Sequence, residues 1–190
     1  MLLTNIEFFA HESDVWCRQG DGPLQLLKES DREFIDSLVS HIATFYPQAY
    51  DALCKRYERC ALNKQYYLFR IATRFIKCNF SKLDNVPDIS EKNNKCNFEY
   101  VECPLRGECE YENIICRPTF DSKLSTAELR VLRYWVQGLT KEEVAKELYL
   151  SPHTVHSHIN NAYRRLNFLG INIRDKADFV RYAEQNNLFS

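Results

Sequence analysis

The sequence predicts a mostly α-helical protein in two parts. The first is a helical N-terminal domain that ends in a cysteine-rich irregular or hairpin segment, and the second is a four-helix domain. Two observations support this division. Apolar residues recur at helical spacing within 31–78 and again within 124–186. All eight cysteines precede residue 117. We therefore place the domains at 1–121 and 122–190.

The composition is that of a globular protein with a real core. The chain has 190 residues, of which 45% are hydrophobic and 27% charged. No apolar run approaches the roughly 20 residues of a membrane span. The N-terminus lacks the basic start of a secretory signal. We therefore expect a cytoplasmic protein with no membrane partner.

Three helices are predicted in the N-terminal part. Ser30 and Glu33 have the spacing of a capping box for the first, and six apolar residues follow at helical spacing. Pro47 suits the first position of the second helix. The third covers 63–78, and we expect its aromatic side chains to lie in the core. The first thirty residues show little periodicity, apart from a loop signal at 19–23.

The cysteine-rich end, 78–116, predicts a metal site. Cys96, Cys103, Cys109 and Cys116 follow the spacing C-x6-C-x5-C-x6-C, with Cys78 as an alternative fourth ligand. Four thiolates can bind zinc, which we favour, or an iron–sulfur cluster. The alternative is that these cysteines are ordinary buried side chains. Short aromatic and β-branched runs in 96–120 can form a small hairpin.

Four helices are predicted after residue 122, where ten Lys and Arg outnumber seven Asp and Glu. The first begins with a capping box and ends at Gly138. The second is short, and the third begins at Pro152. The fourth spans 175–186 and carries Ala177, Val180 and Ala183. The capping residues of the first three are Ser125, Thr140 and Ser151.

The third helix, 152–166, has two unlike faces. Its apolar face holds Val155, Ile159, Ala162 and Leu166. Its opposite face holds His156, Ser157, Asn160 and Arg164, which can reach base edges. Side chains suited to phosphate oxygens are Lys141, Thr154, His158, Asn161 and Arg165. A helix, a short turn and a second helix of this kind predict binding to the major groove of double-stranded DNA.

Three alternative interpretations of this helix compete with that of a DNA-binding regulator. His156 and His158 are two residues apart, so they point to different faces and cannot easily share a metal ion. A merely solvated polar face would make the capping, the turn and the apolar spacing coincidental. A sigma-factor helix-turn-helix has an overlapping pattern, but we find no promoter-melting region upstream.

The segment 124–166 resembles the GerE/LuxR-type DNA-binding domain of bacterial transcription regulators, and the resemblance covers about 123–188. The matching residues are Leu124, Ser125, Glu128, Val131, Leu132, Gly138, Leu139, Thr140, Glu143, Val144, Ala145, Leu148, Leu150, Ser151, Thr154, Val155, His158 and Asn161. The resemblance implies a four-helix domain with its third helix in the major groove. It also implies dimerisation through the last helix, 175–186, and RNA polymerase as a further partner.

The candidate DNA-binding residues are Lys141, Ser151, Thr154, His156, Ser157, His158, Asn160, Asn161, Arg164 and Arg165. Three departures from the family pattern stand out. His156 replaces the usual lysine, Ala127 replaces an arginine, and 167–169 resembles an insertion. Residues 1–121 hold no recognisable catalytic arrangement, so we expect no enzyme. The competing hypothesis is a metal- or redox-sensing regulator controlled by the cysteine cluster.

Overall fold

The computed structural model describes residues 3, 5–84, 86–89, 96–186 and 188–189. These form two compact units, unit 1 (Met1–Asp121) and unit 2 (Ser122–Ser190). Helices predominate in both, as the sequence predicts. No helix in the described ranges is long and apolar enough to cross a membrane.

Unit 1 opens with a three-stranded antiparallel sheet in the order β1 (Ile6–His11), β2 (Asp14–Gln19) and β3 (Gln25–Leu26). The strands therefore lie in the first thirty residues. The 96–120 segment does not form the small hairpin expected there. It consists of turns and irregular backbone, with an isolated bridge between Cys96 and Ile89. The β1–β2 hairpin turns at Glu12, which has a positive φ of 50°. Glu-Ser is not one of the glycine- or asparagine-containing pairs that mark such a turn, so the sequence carried no strong hairpin signal.

The three predicted helices of unit 1 are confirmed as α1 (Arg32–Phe45), α2 (Pro47–Arg56) and α3 (Lys64–Asn79), with a short 3-10 turn after α2. The predicted capping box at the start of α1 is wrong. Asp31 occupies the N-cap position, and no side chain caps the helix. The Asp31 carboxylate instead accepts a hydrogen bond from the backbone N–H of Lys28 at 2.8 Å.

Aromatic rings fill the centre of unit 1, as predicted. Tyr46 and Phe75 are fully buried, with ring centroids 5.8 Å apart, and Phe80 and Phe98 continue the cluster. The Tyr46 hydroxyl accepts a hydrogen bond from the backbone N–H of Cys96 at 2.6 Å. This bond joins residues 50 positions apart and ties the later, irregular part of the unit to its helices.

A buried carboxyl group joins the sheet to the loop that follows α3. Asp88 Oδ2 accepts a hydrogen bond from the backbone N–H of Phe8 at 2.7 Å. Burial raises the pKa of Asp88 to about 8, against an opposing effect of the Phe8 bond, and the charges of Glu99, Glu7 and Asp84 add to the increase. Unit 1 therefore holds a carboxyl group that keeps its proton in neutral solution.

Unit 2 contains α4 (Thr126–Val136), α5 (Lys141–Leu148), α6 (Pro152–Phe168) and α7 (Lys176–Gln185). Ser125 with Glu128 and Thr140 with Glu143 form the two capping boxes, and Ser151 caps α6. The core is built from Leu124, Val131, Leu132, Val144, Ala145, Val155, Ile159, Ala162, Leu166, Ile171, Ile173, Phe179, Tyr182 and Ala183.

Candidate nucleic-acid interface and cysteine cluster

Helix α6 has the two faces that its sequence predicts. Val155, Ile159, Ala162 and Leu166 are all buried in the core of unit 2. The helix begins at Pro152, where the Ser151 hydroxyl accepts a hydrogen bond from the N–H of Thr154 at 3.0 Å. It ends at Phe168, two residues later than predicted. The burial of one face fixes the orientation of the polar face opposite it.

The turn between α5 and α6 fixes the geometry of the pair. Tyr149 adopts the left-handed conformation, with φ 54° and ψ 43°. The next backbone N–H, that of Leu150, donates to the carbonyl of Ala145 at 2.9 Å and closes the end of α5. The Tyr149 side chain is 97% exposed. The sequence does not indicate that Tyr149, a residue with a Cβ atom, adopts the left-handed conformation.

Three side chains on the polar face form a hydrogen-bonded chain. Lys141 Nζ lies 3.0 Å from His156 Nδ1, and His156 Nε2 lies 2.9 Å from the Asn160 side-chain amide. An ammonium group can only donate, so Nδ1 accepts from Lys141 and the neutral ring carries its proton on Nε2. The Asn160 atom nearest the ring is Nδ2, so the amide must turn by 180° for its oxygen to accept the Nε2 proton. One amide edge of Asn160 remains for an outside partner.

This chain explains how His156 can replace the lysine of the family pattern. Lys141 reaches across from α5 and holds a cation against the imidazole, so positive charge is retained beside this position. The contact between Lys141 and His156 was not predicted from the sequence because the two residues are 15 positions apart and lie on different helices. A histidine in α6 together with a lysine at the start of α5 is the signal that could have revealed it.

The two arginines of α6 have different surroundings. Arg164 is exposed, and its guanidinium donates to the Asn161 side-chain oxygen at 3.2 Å. Arg165 donates instead to the backbone carbonyl of Lys123 at 3.0 Å and lies 3.5 Å from the buried carboxylate of Glu128. Arg165 therefore joins α6 to the start of α4, whereas Arg164 is available to a ligand.

The remaining candidates lie at the edges of the polar face. The Ser151 and Thr154 hydroxyls bond each other at 2.8 Å within the cap. Ser157 donates to the carbonyl of His153 at 3.0 Å. His158 is partly buried. These side chains contribute to the helix start and flanks, while His156, Asn160, Asn161 and Arg164 form its exposed centre.

The 167–169 segment extends α6 and shapes the turn that follows. Asn167 and Phe168 belong to the helix, and Leu169 is its C-cap. The Asn167 side chain accepts from the N–H of Ile173 at 2.6 Å and donates to the Ile173 carbonyl at 2.9 Å.

On α7, Phe179, Tyr182 and Ala183 are buried, which leaves Ala177 exposed and Val180 half-exposed.

Five cysteines were candidates for the metal site. The thiol of Cys116 interacts with that of Cys78. Cys96 lies elsewhere, with its sulfur 3.8 Å from His41 Nε2. Cys78, and not Cys96, is therefore the neighbour of Cys116. We call Cys78, Cys103, Cys109 and Cys116 the cysteine cluster.

The thiols of the cysteine cluster are not set at metal-binding distances. In the described ranges, no three Cys, His, Asp or Glu side chains stand in an arrangement that could hold a metal ion. Burial raises the pKa of Cys78 to about 12, and Arg74 partly opposes this effect. Burial also raises the pKa of Cys116.

Comparison with known proteins finds similarity within unit 2. The family of bacterial regulatory proteins described as the luxR family matches residues 122–183. The Fimbriae Z proteins of Escherichia coli K12 and O157:H7 are each 44% identical to this chain over 61 residues. That segment is 32% of this chain, and it spans only 27% of each relative. No solved structure matches the chain.

Proposed function

We propose that the chain is a sequence-specific DNA-binding transcription regulator and not an enzyme, because the luxR family of bacterial regulatory proteins matches residues 122–183. Helix α6 would enter the major groove. The observation that carries this proposal is the exposed centre of α6, where Lys141, His156 and Asn160 form one hydrogen-bonded chain. A linked donor–acceptor set formed by Lys141 of α5 with two side chains of α6 is suited to reading base edges.

The roles of individual residues follow from their partners. Asn160 keeps an amide edge for adenine or guanine, and His156 holds it in place. Arg164 is exposed and donates to the Asn161 side chain on the same helix, so it is suited to phosphate. Arg165 has two partners inside unit 2. Its replacement would disturb the domain as well as any phosphate contact.

The test begins with selection of a preferred duplex from random DNA by the full-length protein. Dissociation constants are then measured on the preferred and on an unrelated duplex. Asn160→Ala and His156→Ala should weaken specific binding about tenfold and leave the unrelated duplex nearly unchanged. Arg164→Ala should weaken both and reduce the salt dependence by about one phosphate contact.

The matched control is Arg130→Ala, an exposed arginine on α4 that no predicted contact involves. It should leave both affinities unchanged. Equal losses on both duplexes for Asn160→Ala and Arg164→Ala would contradict this division of roles. Failure to select any preferred duplex would contradict the proposed function itself.

We also propose that α7 forms a homodimer contact. Its partner surface would be the stripe of Ala177, Val180 and Arg181, which the core of unit 2 leaves exposed or half-exposed. Val180→Glu should then give a monomer in sedimentation experiments without lowering the thermal stability of unit 2. RNA polymerase stays a predicted partner of the regulator.

A further inference from the structure

We propose that a cavity in unit 1, between helix α3 and the β1–β2 hairpin, binds a small molecule that carries a phosphoryl group. The cavity has a volume of about 290 Å³, and Arg70, Arg74 and Lys77 of α3 line it. A ligand site in unit 1 goes beyond DNA binding by unit 2 and does not depend on it. The gathering of three cations around one cavity carries the proposal.

The three cations share one face of α3. Arg70, Arg74 and Lys77 are four and three residues apart, which places their side chains on the same side of the helix. All three are partly buried. Like charges at this spacing destabilise a helix. Their presence on one half-buried face is therefore a cost that a bound anion would offset.

The chain supplies little negative charge to the cavity. Among the residues that the structure describes, no ion pair forms with Arg70, Arg74 or Lys77. Asp14, the one acidic residue in the cavity wall, is exposed at the start of β2. Three positive charges and one negative charge leave the wall with a net charge of +2.

The Lys77 amine responds to this surplus of positive charge. Burial lowers the pKa of Lys77, Asp14 opposes this effect, and the charges of Arg70 and Arg74 lower the pKa further. The field in the cavity is therefore positive at the amine, even with Asp14 present. An anion placed between the three side chains would be attracted by all of them.

Arg74 has fewer partners than the other two cations. Its side chain makes no hydrogen bond with any residue in the described ranges, and its Nε atom is buried. Buried donors without acceptors are rare in native proteins. A guanidinium group offers five N–H donors in a planar fork that matches the oxygen atoms of phosphate. A phosphoryl group in the cavity would supply acceptors that the described residues do not.

Arg70 and Lys77 are, by contrast, already held in position. Arg70 Nη1 donates to the Tyr66 hydroxyl at 2.7 Å, and the guanidinium carbon lies 4.7 Å from the centre of the Tyr57 ring. Lys77 Nζ donates to the carbonyl of Ser13 in the β1–β2 turn. These partners are uncharged, so they fix the two cations without neutralising them. Cations fixed in advance lose less side-chain entropy when a ligand binds.

The charge and the walls of the cavity favour a phosphate monoester over other anions. Such a group carries a charge of about −1.5 to −2 at neutral pH, which matches the net charge of the wall, whereas a carboxylate carries only −1. The wall also includes the rings of Tyr57 and Phe69, which suit a small apolar or aromatic group attached to the phosphoryl group. The volume lies at the low end of the range for ligand pockets, about 300–1,000 Å³, so the ligand must be small.

The experiment uses phenyl phosphate as the probe, because it joins a phosphoryl group to one aromatic ring. Full-length protein is titrated by calorimetry in a phosphate-free buffer at constant ionic strength. We expect saturable binding of one molecule per chain, and inorganic phosphate should displace it. Benzoate and phenol, which keep the ring but carry less negative charge, should bind at least about tenfold more weakly.

Charge-changing variants then locate the site. Arg74→Gln and Arg70→Gln should each weaken binding of phenyl phosphate about tenfold. Arg59→Gln is the matched control, since Arg59 is an exposed arginine of unit 1 outside the cavity wall, and it should leave the affinity unchanged. Asp14→Asn removes the one negative charge of the wall and should strengthen binding several-fold. A damaged fold cannot mimic that gain.

Four results would overturn the proposal. They are no saturable binding of phenyl phosphate by the unaltered protein at millimolar concentration, equal affinity for benzoate, equal losses in Arg59→Gln and Arg74→Gln, and weaker binding in Asp14→Asn. The affinity for DNA is measured in separate titrations without the probe. The ligand site in unit 1 and the proposed function of unit 2 can therefore fail independently.

Discussion

The two units of this chain are stabilised by contacts of very different range. In unit 2, the decisive side-chain bonds at the helix starts span three residues, as in the capping boxes of Ser125 and Thr140. In unit 1, the buried side-chain hydrogen bonds join distant segments. They span 36 residues from Asn79 to Ile115, 50 from Tyr46 to Cys96 and 80 from Phe8 to Asp88. Hydrogen bonds between neighbouring residues therefore set the helix starts of unit 2, whereas the irregular part of unit 1 is held by hydrogen bonds between distant segments.

The difference matches the roles that we propose. A DNA-binding helix must be presented in one fixed orientation, and local caps with one apolar stripe achieve this. Unit 1 instead has an irregular end that buried polar groups, among them the Asn79 amide and the Tyr46 hydroxyl, join to its helices.

The largest effect is expected where unit 1 depends on one buried amide. Asn79→Ala removes the hydrogen-bond partners of the Ile115 carbonyl and the Arg117 N–H. Each buried backbone group left without a partner costs about 1–3 kcal/mol of unfolding free energy. We expect unit 1 to lose about 4 kcal/mol of unfolding free energy, measured by urea denaturation. Asn63→Ala, which removes the N-cap of the same helix, should cost only about 1 kcal/mol. Similar losses for the two variants would contradict the long-range account.

The next effect distinguishes the units by pH. The pKa of Asp88 is raised to about 8 by burial, so folded unit 1 binds a proton that the unfolded chain releases above its ordinary pKa. Its contribution to stability is therefore complete at low pH and is lost as pH rises towards 8. Between pH 5 and 7 the loss should approach about 1.4 kcal/mol per pH unit.

Unit 2 contains a carboxylate of the opposite kind. The Arg174 guanidinium lowers the pKa of Asp178, so the stability from this pair is present above the ordinary aspartate pKa and is lost in acid. Thermal melts of the protein from pH 5 to 8 should show destabilisation of unit 1 that Asp88→Asn removes. A slope that persists in Asp88→Asn would assign the effect to another group.

A smaller effect should separate two copies of one local motif. Glu128 and Glu143 each accept hydrogen bonds from the N-cap residue of their helix. Glu128 is 3% exposed and also faces Arg165, whereas Glu143 is exposed. Glu128→Ala should cost unit 2 about 2 kcal/mol, and Glu143→Ala should cost clearly less because its carboxylate is exposed. Equal costs in chemical denaturation would show that Arg165 adds nothing to the capping box.

The same contrast explains which features could be predicted from the sequence. The faces of α6 and its start at Ser151 depend on neighbours three or four residues away, so their pattern is visible in the chain. The Lys141–His156 contact and the attachment of Arg165 to Glu128 join different helices, and periodicity carries no trace of them. Cys116 lies beside Cys78 because the buried Asn79 side chain bonds the backbone on both sides of Cys116, which no local pattern in the chain indicates.

The smallest effect concerns the turn that sets α5 against α6. Tyr149 has φ 54°, which costs a side chain with a Cβ about 1–2 kcal/mol, and its ring is 97% exposed. Glycine would remove that strain but would lose about 0.5–1 kcal/mol through the freedom of the unfolded chain. Tyr149→Gly should therefore stabilise unit 2 by about 0.5 kcal/mol in chemical denaturation. Tyr149→Phe keeps the strain and should change nothing. A loss of stability in Tyr149→Gly would mean that the exposed ring makes a contact that local geometry does not reveal, and that even unit 2 depends on more than local rules.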